Sequence, residues 1–179
     1  MEISEAPGPD DRLPRELDIS RRAGGGHLLP DALYGEIRLP GWAVTLLETP
    51  PFQRLRGVSL SDVPGALLFR RPFPSRLDHA LGVFHLARLA RPRDRVLQVA
   101  ALAHDLGHGP FSHLSEPLMR ERTGENHEQR SARLLRALPA LLTPAQARKL
   151  AWLRWDEAAA LVLARGADGR GELLNGRLD

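Results

Sequence analysis

The chain contains no cysteine, which removes disulfide frameworks, thiolate nucleophiles and cysteine-type zinc sites from consideration. Aromatic residues make up only 5% of its 179 positions, so a core must be assembled mainly from Leu, Ala and Val, which suit helices better than sheet. The expected fold class is all-α. No apolar run approaches the roughly 20 residues that cross a bilayer, and the N-terminus is acidic and Pro-rich with no apolar h-region; a soluble cytoplasmic protein with no membrane partner is expected. Lysine is nearly missing too, since Lys149 is the only one among 25 basic residues. The arginines raise the pI to about 10.4, and their planar forks can grip phosphate bidentately. Acidic residues are interspersed with them throughout, so a nucleic-acid partner is compatible with the composition but not favoured.

What is present suffices for one domain with a real core, at 42% hydrophobic content. Residues 1–30 are rich in Pro, Gly and charge, with Gly24-Gly25-Gly26 as a joint, and read as a flexible tail in which His27 is solvated; the domain is expected over 31–179. Tyr34 to Pro40 alternates as a short strand. Trp42 to Glu48 reads as a short helix, and Thr49-Pro50 starts another. Phe52, Leu55 and Val58 form its apolar face, with Gln53 and Arg56 three apart on a different one. A Pro-rich loop follows over 61–75. From Leu77 a helix returns, with Leu81, Val83, Leu86, Ala87, Leu89 and Ala90 as a broad apolar face, ending near Pro92. Asp94 caps the next helix, apolar on nearly every side from Val96 to Leu106 and therefore buried. Gly107 is expected in the left-handed C-terminal position. Later helices are expected at Ser115 to Arg122, Glu125 to Leu138, Thr143-Pro144 to about Arg154, and from an Asp156 cap to Gly166.

The stretch His104 to His113 supplies three imidazoles and a carboxylate within ten positions. Ionisable groups carried into a core must be paired, hydrogen-bonded or metal-bound. A His-Asp dipeptide alone is a weak signal. Adjacent helical residues point about 100° apart, so His104 and Asp105 share a metal only if it lies beside the helix between their directions. His79, early in the preceding antiparallel helix, returns to the level of that pair and can complete the set. Mixed imidazole and carboxylate ligation with open positions suits Mn, Fe, Co, Ni or Zn rather than Ca.

Thr49-Pro50-Pro51-Phe52-Gln53-Arg54-Leu55-Arg56, the run Ser75 to Val83, His104 to His113 and His127-Glu128-Gln129 follow one another in this order. In this the chain resembles the HD-domain metal-dependent phosphohydrolases, most closely their deoxynucleoside triphosphate triphosphohydrolase branch. Tyr34-Gly35-Glu36-Ile37 resembles that branch's leading strand, and the likeness covers about residues 31–179. It implies an HD-domain helical bundle with a short N-terminal strand or hairpin. It also implies hydrolysis of a (deoxy)nucleoside triphosphate to nucleoside plus triphosphate through a metal-activated water. By resemblance His79, His104 and Asp105 bind the divalent transition metal, with Mg accompanying the nucleotide; Arg76 holds substrate phosphate; His108 and His113 line the reacting phosphate; and His127 with Glu128 handles protons or orients the water. Gln53 and Arg56 match residues that bind a regulatory nucleotide, and homo-oligomers are common in the family. The chemistry makes the same demands independently: an activated water, cationic groups for the phosphate oxygens and an acid for the leaving oxygen. The same ligand frame also serves other nucleotidases and phosphodiesterases, or a nucleotide-binding regulatory module without turnover.

Two departures from the family pattern stand out. The fourth metal ligand of the family is an aspartate in a later motif whose opening Asn175-Gly176-Arg177-Leu178-Asp179 resembles; it falls two residues past Asp179, so the domain is expected to be truncated. Leu60 stands where the branch has a sugar-reading glutamine, and an apolar side chain cannot donate that hydrogen bond, which weakens the expected preference for deoxynucleotides.

Overall fold

The structure, a computed structural model, describes residues 19–21, 26–60, 74–164, 169–171 and 174. It is mostly helical, with a small antiparallel sheet at the N-terminal side in the order β1 (Ser20–Arg21), β2 (His27–Asp31) and β3 (Gly35–Leu39). Asp31 sets the β2–β3 turn: its Oδ1 accepts the backbone N–H groups of Leu33 and Tyr34, both at 2.8 Å, and Gly35 takes φ +75°. Leu29 pairs with Ile37, and both point into the core. The expectation of a tail through residue 30 is corrected here, because Leu28 and Leu29 bury apolar side chains and so stabilise β2 despite the Gly-rich approach. His27 is a partly buried strand residue rather than a solvated one.

Helices α1 (Gly41–Leu47) and α2 (Pro50–Arg54) follow, α2 running on into a 3-10 turn, Leu55–Gly57. Thr49 stands at the N-cap of α2 but its hydroxyl donates back to Leu46 O at 2.7 Å. Phe52, Leu55 and Val58 are buried as the pattern requires. The loop expected over 61–75 lies outside the described residues except at its end, where Ser75 bridges to Ser59.

Helix α3 (Arg76–Ala90) opens with a reciprocal Ser75–Asp78 capping box. Its inward side chains are Leu77, Ala80, Leu81, Phe84 and Ala87. Leu86 and Leu89, expected on that face, are 39% and 65% exposed; the buried residues advance by three and four from Leu77, and those two fall off the stripe. Helix α4 (Arg95–Ala103) is capped by Asp94, whose carboxylate accepts from Leu97 N at 3.0 Å. Every residue from Leu97 to Ala103 is buried, and the alanines let α3 and two later helices approach. These are α6 (His127–Ala137) and α8 (Trp155–Leu163), which also pack on each other.

Helix α5 (Ser112–Thr123) begins three residues earlier than expected and ends at Gly124, φ +72°. That glycine, not Gly107, holds the left-handed C-terminal position. Helix α6 starts from an Asn126–Gln129 capping box, and α7 (Pro144–Lys149) from a Thr143–Gln146 box. Helix α7 stops at Lys149, well before Arg154. Helix α8 takes Arg154 as its N-cap, which leaves Asp156 inside the first turn rather than capping it, and the helix ends at Leu163 rather than Gly166. Among the described residues no helix is long and apolar enough to cross a membrane.

Candidate functional site

Antiparallel packing of α3 on α4 brings His79, in the first turns of α3, opposite His104 and Asp105 at the end of α4. His104 Nδ1 donates to Ala101 O at 2.8 Å, which leaves a lone pair on Nε2; that atom lies 3.2 Å from His79 Nε2. Asp105 Oδ1 lies 3.4 Å from His104 Nε2, and Oδ2 lies 3.9 Å from His79 Nε2. The three ligand atoms are within 4.8 Å of one another. Two ligands bound at about 2.1 Å to one cation at right angles stand about 3 Å apart, so the imidazole pair has the spacing of a coordination edge. Converging nitrogen and carboxylate donors, buried at His104 and Asp105, fit a divalent transition metal.

A second histidine group adjoins the first. His108, His113 and His127 also bring their ligand atoms within 4.8 Å of one another. His108 stacks on His127 with ring centroids 4.1 Å apart, and His113 stands edge-on to both. Asp105 joins the groups, because its Oδ1 is also 3.5 Å from His108 Nε2. His108 is 1% exposed, yet neither of its ring nitrogens has a hydrogen-bond partner among the described residues. A buried imidazole in that state needs a partner outside the chain, whether a water, an ion or a ligand.

Charge is arranged unevenly across the shared carboxylate. Burial works against Asp105's ionisation, but His104, His108, Arg76 and His79 outweigh it and hold its pKa at about 2. Burial pushes His108 down to about 3 despite the attraction of Asp105, with His127, Arg76 and His113 adding to the effect. His127 is lowered by burial as well, against the pull of Glu116, Asp105 and Glu128. Near neutral pH the Asp105 carboxylate therefore stands beside the neutral imidazoles of His108 and His127.

Arg76, expected on substrate phosphate, is buried and turned into the site: Nη1 pairs with Asp105 Oδ2 at 3.0 Å and Nε donates to Ser112 Oγ at 3.1 Å. His113 is exposed at the start of α5. Glu128 is partly buried beside His127, and its carboxylate accepts from Asn126 Nδ2 at 3.1 Å. Gln53 and Arg56 belong to neither histidine group and bond to each other, Arg56 Nη1 donating to Gln53 Oε1 at 3.0 Å. Leu60 is partly buried and its N–H donates to Pro74 O at 2.9 Å. The Asn175 to Asp179 segment lies outside the described residues.

The supporting residues are not visible in the sequence. Arg54 donates to the carbonyls of His108 and Leu106, and desolvation lowers its pKa. Ser131 accepts from Gly107 N at 2.7 Å and donates to His104 O at 2.6 Å, while Arg130 Nε donates to Gly107 O at 2.9 Å. Glu116 accepts from His127 N at 2.7 Å and pairs with Arg130 at 2.8 Å. These bonds run between elements distant in sequence, and no local pattern marks them. Gly107 matters for a different reason from the expected one: a Cβ there would lie 2.1 Å from His127 O and 2.6 Å from Ser131 N, so its role is close approach to α6.

A protein-family model described as HD domain matches residues 76–174, more than half of the chain. Among curated proteins, the chain is 33% identical over 129 residues to the deoxynucleoside triphosphate triphosphohydrolase SAMHD1 of Homo sapiens, a match that covers 62% of this chain and 20% of that protein. The Gallus gallus SAMHD1 is 31% identical over 161 residues, covering 77% of this chain and 26% of that protein. The metal-dependent phosphohydrolase cns2 of Cordyceps militaris is 37% identical over 112 residues, covering 61% of this chain and 32% of that protein. Among solved structures, a hypothetical protein from Aquifex aeolicus matches with a TM-score of 0.63 at 27% identity, covering 85% of this chain and 42% of that one. The chain thus spans about a fifth to a third of the length of these three curated relatives.

Proposed function

The chain belongs to the HD domain family, and on that premise we propose that it is a metal-dependent phosphohydrolase of nucleotides, converting a (deoxy)nucleoside triphosphate to nucleoside and triphosphate. The observation that carries this reading is the sharing of Asp105, whose Oδ1 lies 3.4 Å from His104 in one group and 3.5 Å from His108 in the other. A cation site thereby adjoins an imidazole cluster, the pairing that hydrolysis of a phosphate ester requires. His79, His104 and Asp105 would hold a divalent cation, which supplies Lewis-acid polarisation and a water of lowered pKa. Arg76 helps to keep Asp105 ionised, with His104 and His108, and adds positive charge beside the phosphate oxygens. His108 and His113 contact the reacting phosphate. His127, with Glu128 beside it, moves the proton that the leaving oxygen takes up as the bond between phosphorus and the nucleoside oxygen breaks. The same reading gives Gln53 and Arg56 to a regulatory nucleotide, and a homo-oligomer to the assembly.

The test is to load the protein with Mn²⁺, incubate it with deoxynucleoside triphosphates and separate nucleoside from triphosphate by ion-exchange chromatography. Stoichiometric release of both products is expected, together with its loss in a His104→Ala/Asp105→Ala variant that binds no metal. Full turnover by that folded variant rejects the proposal.

A further inference from the structure

We propose that Arg54 is a positioning residue for catalysis, setting His108 against the phosphate by clamping the backbone turn that carries it. This inference rests on the phosphohydrolase reading above. Residues 104–108 leave the end of α4, where backbone carbonyls have no intrahelical partner and the helix dipole is negative. Arg54 reaches across from α2 and forks onto two of those carbonyls, Nη1 to His108 O at 2.7 Å and Nη2 to Leu106 O at 2.5 Å. The carbonyl between them, that of Gly107, is held by Arg130 of α6 at 2.9 Å.

The reason the clamp bears on chemistry lies in the His108 ring. Neither of its nitrogens is hydrogen-bonded among the described residues, so the ring rests on its own backbone and on its contacts with His127 at 4.1 Å, His113 at 4.9 Å and the Asp105 carboxylate at 3.5 Å. Holding the His108 carbonyl holds the backbone from which the imidazole projects. Arg54 has no ion pair among the described residues; its two carbonyl bonds are what direct its guanidinium. A planar fork can bridge two acceptors at once, whereas a lysine ammonium on a flexible stem cannot reproduce that geometry. Arg54 is exposed as a whole residue, although its guanidinium is desolvated where it meets the two carbonyls.

The decisive variant is Arg54→Lys, with Arg54→Ala alongside it, both compared with the parent in Mn²⁺-loaded form. A displacement of about 1 Å at a reacting group lowers turnover by up to about a hundredfold. We expect kcat of Arg54→Lys to fall at least about tenfold while KM stays within about threefold and bound metal is unchanged. Millimolar methylguanidinium restores part of the kcat of Arg54→Ala. Hydrogen exchange at the Leu106 and His108 amides, bonded to Ala103 O and Asp105 O, accelerates in Arg54→Lys while exchange in β2 and β3 does not. Parental kcat in Arg54→Lys overturns the inference, as do unaltered exchange at those two amides and a loss of turnover that tracks loss of metal. If the parent releases no triphosphate, the phosphohydrolase reading fails by itself, and the exchange measurement still decides the clamp.

Discussion

Replacing Gly107 with alanine tests how closely the ligand-bearing turn is pressed onto α6. The added Cβ would sit 2.1 Å from His127 O, 2.6 Å from Ser131 N and 2.7 Å from Arg130 Cβ. The first two atoms are main-chain atoms of the first turns of α6, one i to i+4 step apart, and the third is fixed to that backbone, so no flexible side chain can yield. An ordinary contact needs more than about 3 Å, which obliges the turn and α6 to separate by about 1 Å. Overpacking of a close-packed interior costs about 1–3 kcal/mol, and a rigid backbone lining places this site at the upper end. Reduced freedom of the unfolded chain offsets about 0.4–1 kcal/mol. The net expectation is a loss of about 2–3 kcal/mol, or a fall in Tm of about 4–12 °C for a domain of this size. Thermal denaturation followed by circular dichroism measures it. The control is Gly109→Ala, whose Cβ would meet Ser115 Oγ at 3.3 Å and Met119 side-chain atoms at 3.8 and 3.9 Å; those groups can rotate, and a change below about 1 kcal/mol is expected. Equal melting of Gly107→Ala and the parent would refute the close-approach account.

Stability of the metal-free protein should depend on pH through the histidine cluster. His108, ordinarily near 6.5 but about 3 when folded, and His127, also lowered, bind protons more readily unfolded than folded. Stability is therefore full above about pH 6.5 and falls below it, by about 1.4 kcal/mol per pH unit for each fully titrating group, with Asp105 adding a further loss between its ordinary 3.8 and about 2. Urea unfolding at intervals from about pH 8 to about pH 5 reads this directly, and a flat profile contradicts the burial argument. Asp105→Ala in the metal-free protein strands the buried Arg76 guanidinium without its carboxylate, for an expected loss of about 3–5 kcal/mol by urea unfolding; a loss below about 1 kcal/mol would show that the pair is solvated. Asp94→Ala removes the α4 cap and the ion pair to Arg170 at 2.8 Å, and should cost about 1–2 kcal/mol, read by the same denaturant titration; an unchanged midpoint would mean that the cap is dispensable.

Helix starts are readable where a side chain announces them locally, as Asp94 does before α4 and Thr143-Pro144 before α7. The meeting of His79 with His104 and Asp105 is readable because two antiparallel helices joined by a short turn leave little choice of level. Faces are less secure: Leu86 and Leu89 fit a broad apolar arc, but the stripe that the neighbours cover runs through Ala80 and Phe84. Composition misleads at β2, where two buried leucines decide the outcome against a Gly-rich approach. The bonds from Arg54, Arg130 and Ser131 to backbone groups of residues 104–108 cannot be read, since an arginine that grips a distant carbonyl has the same local sequence as one that faces water.

The placement of Arg76 explains how one turn can present a charged ligand and a neutral imidazole side by side. Asp105 and His108 approach to 3.5 Å, a distance at which a carboxylate alone draws a proton onto its neighbour. Burial opposes charge on both groups, and an isolated pair could relieve that cost by exchanging one proton. Arg76 helps to break the symmetry: together with His104, its guanidinium, 3.0 Å from Asp105 Oδ2, favours the carboxylate anion, and it adds to burial in disfavouring the imidazolium. The same cation thus lowers both pKa values, adding to His104 and His108 at Asp105 and to burial and His127 at His108. Asp105 is left ionised, as ligation of a divalent cation requires, and His108 keeps one nitrogen to donate and one to accept. An arginine read from the sequence as a phosphate holder also pairs with the metal-ligand carboxylate, and it joins His104, His108 and burial in setting the protonation of the two residues between which the phosphate would lie.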